Sequence, residues 1–272
     1  MTLTRILQAG SDVDTAPPVH HATTGTDRSR LLIHCMLARH EVLLPLAQAL
    51  GGGRLFDMPG HGRSADWDGE TPYQAQVAGI AASLCEGPTH VIGHSFGATA
   101  ALRLAVQNPA LVSRLTLIEP VFFAAARGTD AHADYLGRFR PFVAAMLRGD
   151  EAQAARIFNG FWSTADWDGI PEAQRSYLTA RIHLVVASGA DLEEDADGIT
   201  TPARLAGVDV PVTLIRGETT QPVIGAIHER LAERLPQASD HVLAGAGHMA
   251  PIRKTHIPRV AAIIRAAEQR NG

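Results

Sequence analysis

Apolar and polar positions along this chain follow two alternating patterns. Short, mainly aliphatic and β-branched runs recur at residues 30–35, 54–57, 89–92, 113–119, 210–216 and 240–244. Runs of that length, flanked by Gly, Pro and Asn, predict strands buried on both faces. Between them lie helical patterns at 41–50, stopped by Gly51-Gly52-Gly53, at about 71–85, and at 98–106, closed by Asn108-Pro109. A last helix is predicted over 257–269. Buried strands joined by helices imply a mostly parallel central sheet with right-handed crossovers and helices on both faces. Residues 1–30 are polar and irregular, with room for one or two edge strands.

One long interruption, residues 121–207, breaks the alternation and is helical by pattern. Tyr135, Leu136, Phe139, Phe142, Val143, Met146 and Leu147 fall on one stripe of a 3.6-residue period. Asp150 is placed to cap a second helix ending near Phe161-Trp162, and Pro171 to start a third reaching about Val186. The chain therefore reads as one domain, 1–272, carrying a helical cap inserted at 121–207. Such an insertion sits over the strand C-termini, where open α/β sheets bind ligands. The apolar stripe is expected to be the cap's own core. Ala-Asp-Trp-Asp-Gly occurs twice, at 65–69 and 165–169, in unrelated contexts, and marks no repeat.

Composition narrows the function classes. The chain has 272 residues, 46% of them hydrophobic, enough for a large core. A net charge of −4 leaves no basic footprint for nucleic acid. Two cysteines, Cys35 and Cys85, form neither a disulfide framework nor a C-x-x-C metal or redox pair. No charged segment followed by an apolar run opens the chain, and no uncharged apolar stretch approaches ~18 residues. A cytoplasmic protein acting on a small-molecule substrate, without membrane association, is the resulting expectation.

The segment Thr89-His90-Val91-Ile92-Gly93-His94-Ser95-Phe96-Gly97-Ala98 carries the chemistry. An apolar strand drops into G-x-S-x-G and a small-residue helix follows, the order a nucleophile elbow requires. With His34-Cys35-Met36, Asp57-Met58-Pro59-Gly60-His61-Gly62-Arg63-Ser64 and Gly245-Ala246-Gly247-His248-Met249, it forms four ordered motifs. In these the chain resembles the α/β-hydrolase superfamily from about Leu31 onward. A serine hydroxyl is a weak nucleophile until a base takes its proton. Ser95 is the candidate nucleophile and His248, after the last strand, the candidate base. The resemblance implies an oxyanion site from the amides of Phe96 and Met36, although the superfamily's usual His-Gly is His34-Cys35 here.

The acid departs from the pattern. Superfamily members commonly place an aspartate after the penultimate strand in Gly-x-x-Asp, where this chain reads Gly217-Glu218-Thr219-Thr220. Two carboxylates compete. Glu119 ends the strand after the elbow helix, where some members, including a subset of haloalkane dehalogenases, carry the acid. Glu218 lies on the usual strand but one residue after the glycine. Glu119 is preferred. Asp57 and Ser64 are expected to bond their own turn, His61 to serve that turn, and His94 to face away from the nucleophile. Arg138, Arg140 and Arg156 read as solvated helix faces. The resemblance implies a cofactor-independent serine hydrolase acting on an ester or related carbonyl through an acyl-enzyme. Carbon–carbon hydrolysis or lyase chemistry on the same triad, or a non-catalytic ligand binder, are the alternatives.

Overall fold

The unbroken apolar runs become central strands of one sheet, covered from both sides. The computed structural model describes residues 18–270. The expectation about a leader at the N-terminus falls outside that range. The strands β1 (His21–Gly25), β2 (Arg30–Ile33), β3 (Gly52–Phe56), β4 (Thr89–His94), β5 (Val112–Ile118), β6 (Val212–Gly217) and β7 (Ala238–Leu243) lie in the order β1-β3-β2-β4-β5-β6-β7. Every neighbouring pair is parallel except β1, which runs antiparallel to β3 at the edge.

Pleating explains why the runs are apolar throughout. Leu31 and Ile33 of β2, Val91 of β4 and Leu115 and Leu117 of β5 enter one core. There they meet α2 (Tyr73–Ser83), α3 (Phe96–Gln107) and α10 (Pro222–Arg234) through residues such as Val77, Leu104 and Ile227. Leu32, Ile92, Ile118 and Ile215, one register step away, enter the opposite core. They pack on α1 (Leu44–Ala49) and α11 (Ile257–Gln269) through Leu46, Val260 and Ile264.

Between β5 and β6 the chain forms α4 (Asp130–Leu147), α5 (Glu151–Trp162), α6 (Glu172–Arg181), α7 (His183–Ala187), α8 (Gly189–Leu192) and α9 (Pro202–Ala206). The Asp150 carboxylate caps α5, accepting from the Gln153 amide at 3.1 Å. No helix of the described residues is long and apolar enough to cross a membrane.

Three elements differ from the sequence reading. The helix expected over 41–50 is a 3-10 turn, His40–Val42, followed by the shorter α1. Pro45, in the first turn of α1, donates no amide and restricts the residue before it, so a continuous helix cannot pass. The helix expected from Pro171 to about Val186 breaks at Ile182 into α6 and α7. α10 had no counterpart, although Pro222 at its start and the spacing of Val223, Ile224, Ile227 and Leu231 are helix signals.

Two loops at the strand C-termini are pinned to each other by buried imidazoles. His34 donates through Nδ1 to the Cys35 carbonyl at 2.8 Å, and its Nε2 accepts from the Met58 amide at 3.1 Å. His61 donates through Nδ1 to the Pro59 carbonyl at 3.0 Å, and its Nε2 accepts from the Leu37 amide at 2.9 Å. Asp57 accepts from the His40 and Arg63 amides, and Ser64 donates to the Asp57 carbonyl, the turn roles expected of both. Each imidazole must be neutral to accept. Burial accordingly pushes His34 down to about 4 and His61 to about 3, the latter helped by the neighbouring His34.

Depressed values fix the sign of a pH effect. Above the ordinary histidine value of about 6.5, both rings are neutral folded and unfolded alike. As pH falls below it, only the unfolded chain takes up protons, so stability is lost progressively down to the folded values. The thermal midpoint should therefore begin to fall between about pH 6.5 and 5.5, before carboxylates titrate. A midpoint flat across that window contradicts the neutral pair.

Candidate active site

The turn from β4 into α3 is tight enough to force Ser95 into left-handed backbone, with φ of 55°. A β-carbon on Gly93 would lie 2.2 Å from the Gly97 carbonyl oxygen, and one on Gly97 would lie 2.2 Å from that of Ile33. Only glycine fits at both positions, which is the physical content of G-x-S-x-G. The Ser95 amide donates to the Ile118 carbonyl at 2.8 Å, tying the elbow to the next strand.

His248 follows β7 and reaches over the strand ends. Its Nε2 lies 3.0 Å from Ser95 Oγ, and its Nδ1 lies 2.9 Å from Glu119 Oε2. Glu119 is fully buried directly after β5, itself in left-handed backbone with φ of 53°. Its Oε1 accepts from the Gly217 amide at 2.5 Å and its Oε2 from the Thr220 hydroxyl at 2.6 Å. Burial alone raises such a carboxyl, but His248, Thr220 and Gly217 together outweigh that and hold it below the usual value. Glu218 turns elsewhere and accepts from the Gly245 amide at 2.9 Å. Thr220 was legible only as a departure. Its hydroxyl, at the position where the superfamily commonly carries an aspartate, donates to the carboxylate arriving from β5.

The imidazole is held from two further sides. His94 lies beneath it, ring centroids 5.4 Å apart, with Nε2 donating to the His248 carbonyl at 3.1 Å. It does not line the cavity at Ser95, as expected. The Trp162 ring stands against His248 at 4.7 Å. Met36 and Phe96 line the cavity beside Ser95, and neither amide has a backbone acceptor among the described residues. The neighbouring Leu37, in left-handed backbone, is fixed by His61. Cys35, in place of the superfamily glycine, lines the same cavity with a thiol that burial pushes up to about 12, so it stays protonated.

That cavity holds about 480 Å3 and its walls are mainly apolar. All seven residues of the α4 stripe line it. The stripe is therefore not simply the insertion's core, which corrects the sequence expectation. Tyr135 and Phe142 are buried against it, whereas Leu136, Val143 and Leu147 are 45%, 49% and 84% exposed. Periodicity identified the apolar face correctly but not what the face meets. Arg138 and Arg156 pair with Asp134 and Asp168 at the surface, and neither they nor Arg140 reach the cavity.

One group with a metal-ligand donor set occurs among the described residues, His20, His40 and Asp57. Both Asp57 oxygens already serve the turn through the His40 and Arg63 amides, and none of the three lines the Ser95 cavity.

Residues 31–262 match the alpha/beta hydrolase family. The lipase LipV of Mycobacterium tuberculosis is 31% identical over 249 residues, covering 84% of this chain and 85% of that protein. An acetyltransferase component of an acetoin-cleaving system from Cupriavidus necator is 29% identical over 221 residues, 78% of this chain. The match spans only about half of that relative's length, 55%. Among solved structures, a hydrolase from Pseudomonas aeruginosa PA01 superimposes with a TM-score of 0.72 at 20% identity, over 96% of this chain and 99% of the other. A seven-stranded sheet with an elbow serine at the end of β4, together with a family match across most of its length, makes this chain a member of the alpha/beta hydrolase family.

Proposed function

We propose that this protein is a cofactor-independent serine esterase in which Ser95, His248 and Glu119 act as one proton-transfer chain. The observation that carries the reading is the unbroken line of contacts, Ser95 to His248 at 3.0 Å and His248 to Glu119 at 2.9 Å. The relative matched over most of both chains is a lipase, which supports ester chemistry. In this reading residues 121–207 serve as a cap on the single domain, with the apolar cavity beneath it receiving the acyl chain.

The steps follow from the atoms present. His248 Nε2 takes the Ser95 hydroxyl proton as Oγ bonds to the ester carbonyl carbon. The carbonyl oxygen, now anionic, accepts from the Met36 and Phe96 amides. Collapse breaks the bond to the alcohol oxygen, which leaves with the proton from His248. Water then attacks the acyl-enzyme, gives its proton to the same nitrogen, and the acid departs as Ser95 recovers its hydrogen. Glu119 keeps the imidazole in the tautomer with hydrogen on Nδ1 and stabilises its transient positive charge.

Ser95→Ala should lower kcat by on the order of 10⁴-fold or more and abolish labelling by a fluorophosphonate probe. Retained turnover in that folded variant contradicts the chain. Glu119→Gln should lower kcat by about 10³-fold or more, while Glu218→Gln stays near wild type; the reverse ranking moves the acid to Glu218. Thr220→Val removes one donor to a charged carboxylate, so kcat should drop roughly tenfold with little change in KM. Unchanged kcat in Thr220→Val would show that the hydroxyl does not steer Glu119.

A further inference from the structure

The chamber over Ser95 adjoins a second cavity of about 560 Å3. The two share Cys35, Met36, Phe158, Trp162 and Met249, so they meet at the rim of the candidate site. Their chemistry differs. The second is lined by Arg39, Asn159, Gln174, Tyr177 and Arg253 and by no carboxylate among the described residues, although the chain as a whole carries a net charge of −4.

Both arginines are exposed and, among the described residues, lack the carboxylate partners that engage Arg30, Arg54, Arg103, Arg138, Arg156 and Arg230. Arg39 is held in place nonetheless. Its guanidinium carbon lies 4.9 Å from the centre of the Tyr177 ring. Tyr177 is itself pinned, donating to the Ala38 carbonyl at 3.0 Å and accepting from the Gly62 amide at 3.1 Å. Arg253 stands five residues beyond His248, at the end of the turn Ala250–Ile252. Two guanidinium groups lining one cavity, with no carboxylate partner among the described residues, offer positive charge and several N–H donors to an anionic oxygen group.

Its position selects which half of an ester carries that group. The departing alcohol must take its proton from His248, so it leaves on the imidazole side. Trp162, which stands against His248, and Met249, its sequence neighbour, line the second cavity as well as the first. Resting on the esterase reading above, we propose that this cavity is the subsite for the alcohol half of the substrate. The substrate class is then an ester of an apolar acid with an alcohol bearing a carboxylate or phosphate, its charge held by Arg39 and Arg253.

The test compares two butanoate esters differing in one group, those of 4-hydroxybenzoate and of 4-hydroxybenzamide, with p-nitrophenyl butanoate as a general ester. Wild type should favour the anionic ester over its neutral amide by roughly tenfold or more in kcat/KM. That ratio should fall towards one in Arg39→Ala/Arg253→Ala and should shrink as ionic strength rises. Equal rates for the two esters in wild type, or an undiminished ratio in the double variant, overturn the subsite. If the double variant instead selectively loses the p-nitrophenyl monoester of succinate, the charge belongs to the acyl half and the assignment falls. Turnover of p-nitrophenyl butanoate without discrimination leaves the esterase reading standing alone, and no turnover of any ester defeats both.

Discussion

Left-handed backbone at the ends of two neighbouring strands sets the geometry on which the site depends. Ser95 leaves β4 and Glu119 leaves β5 with nearly equal φ, 55° and 53°, in a region that non-glycine residues seldom occupy. Each is tied to the strand beyond it, Ser95 through its amide to Ile118 and Glu119 through its amide to Ile215. The sheet therefore holds both unfavourable conformations by hydrogen bonds it makes anyway. The hydroxyl and the carboxylate project from adjacent, rigidly paired strands, and His248 has to bridge only the gap between them.

A buried carboxylate at the end of β5, in contact with His248, changes what the end of β6 must supply. An aspartate there would itself meet the imidazole. In this chain the last residue of β6 and the turn after it instead contribute donors, the Gly217 amide and the Thr220 hydroxyl, that fill the lone pairs of a carboxylate arriving from next door. A fully buried glutamate needs those donors, because an unpaired buried charge is costly and the carboxyl would otherwise take up a proton. The threonine is thus part of the same electrostatic solution as the glutamate.

Much of this was legible in the residues. Strand runs buried on both faces, the elbow and the histidine loop were readable because each follows from a local requirement: pleat, positive φ or reach. Glu119 was readable from its place at a strand end, and its contact with His248 rests on a pairing of strands that sequence order implies. Other features depended on what lies opposite. The α4 stripe has the period of a buried face, and nothing in a period distinguishes packing against protein from lining a cavity. The break at Ile182 has no evident local cause. α10 is written in Pro222 and the spacing of Val223, Ile224, Ile227 and Leu231, but its charged and small residues between them weaken that period.

The same α4 wall has one further physical consequence. One edge of it is open: Leu136, Val143 and Leu147 are 45%, 49% and 84% exposed, with Val186 of α7 beside them at 54%, while Tyr135 and Phe142 stay buried at 3%. A closed pocket acts as a ruler, since a chain longer than its depth meets an end wall. Here the outer members of the stripe leave apolar surface facing water, and covering it would be worth about 25 cal/mol per Å2. Apolar surface of that kind rewards the area covered rather than the depth reached.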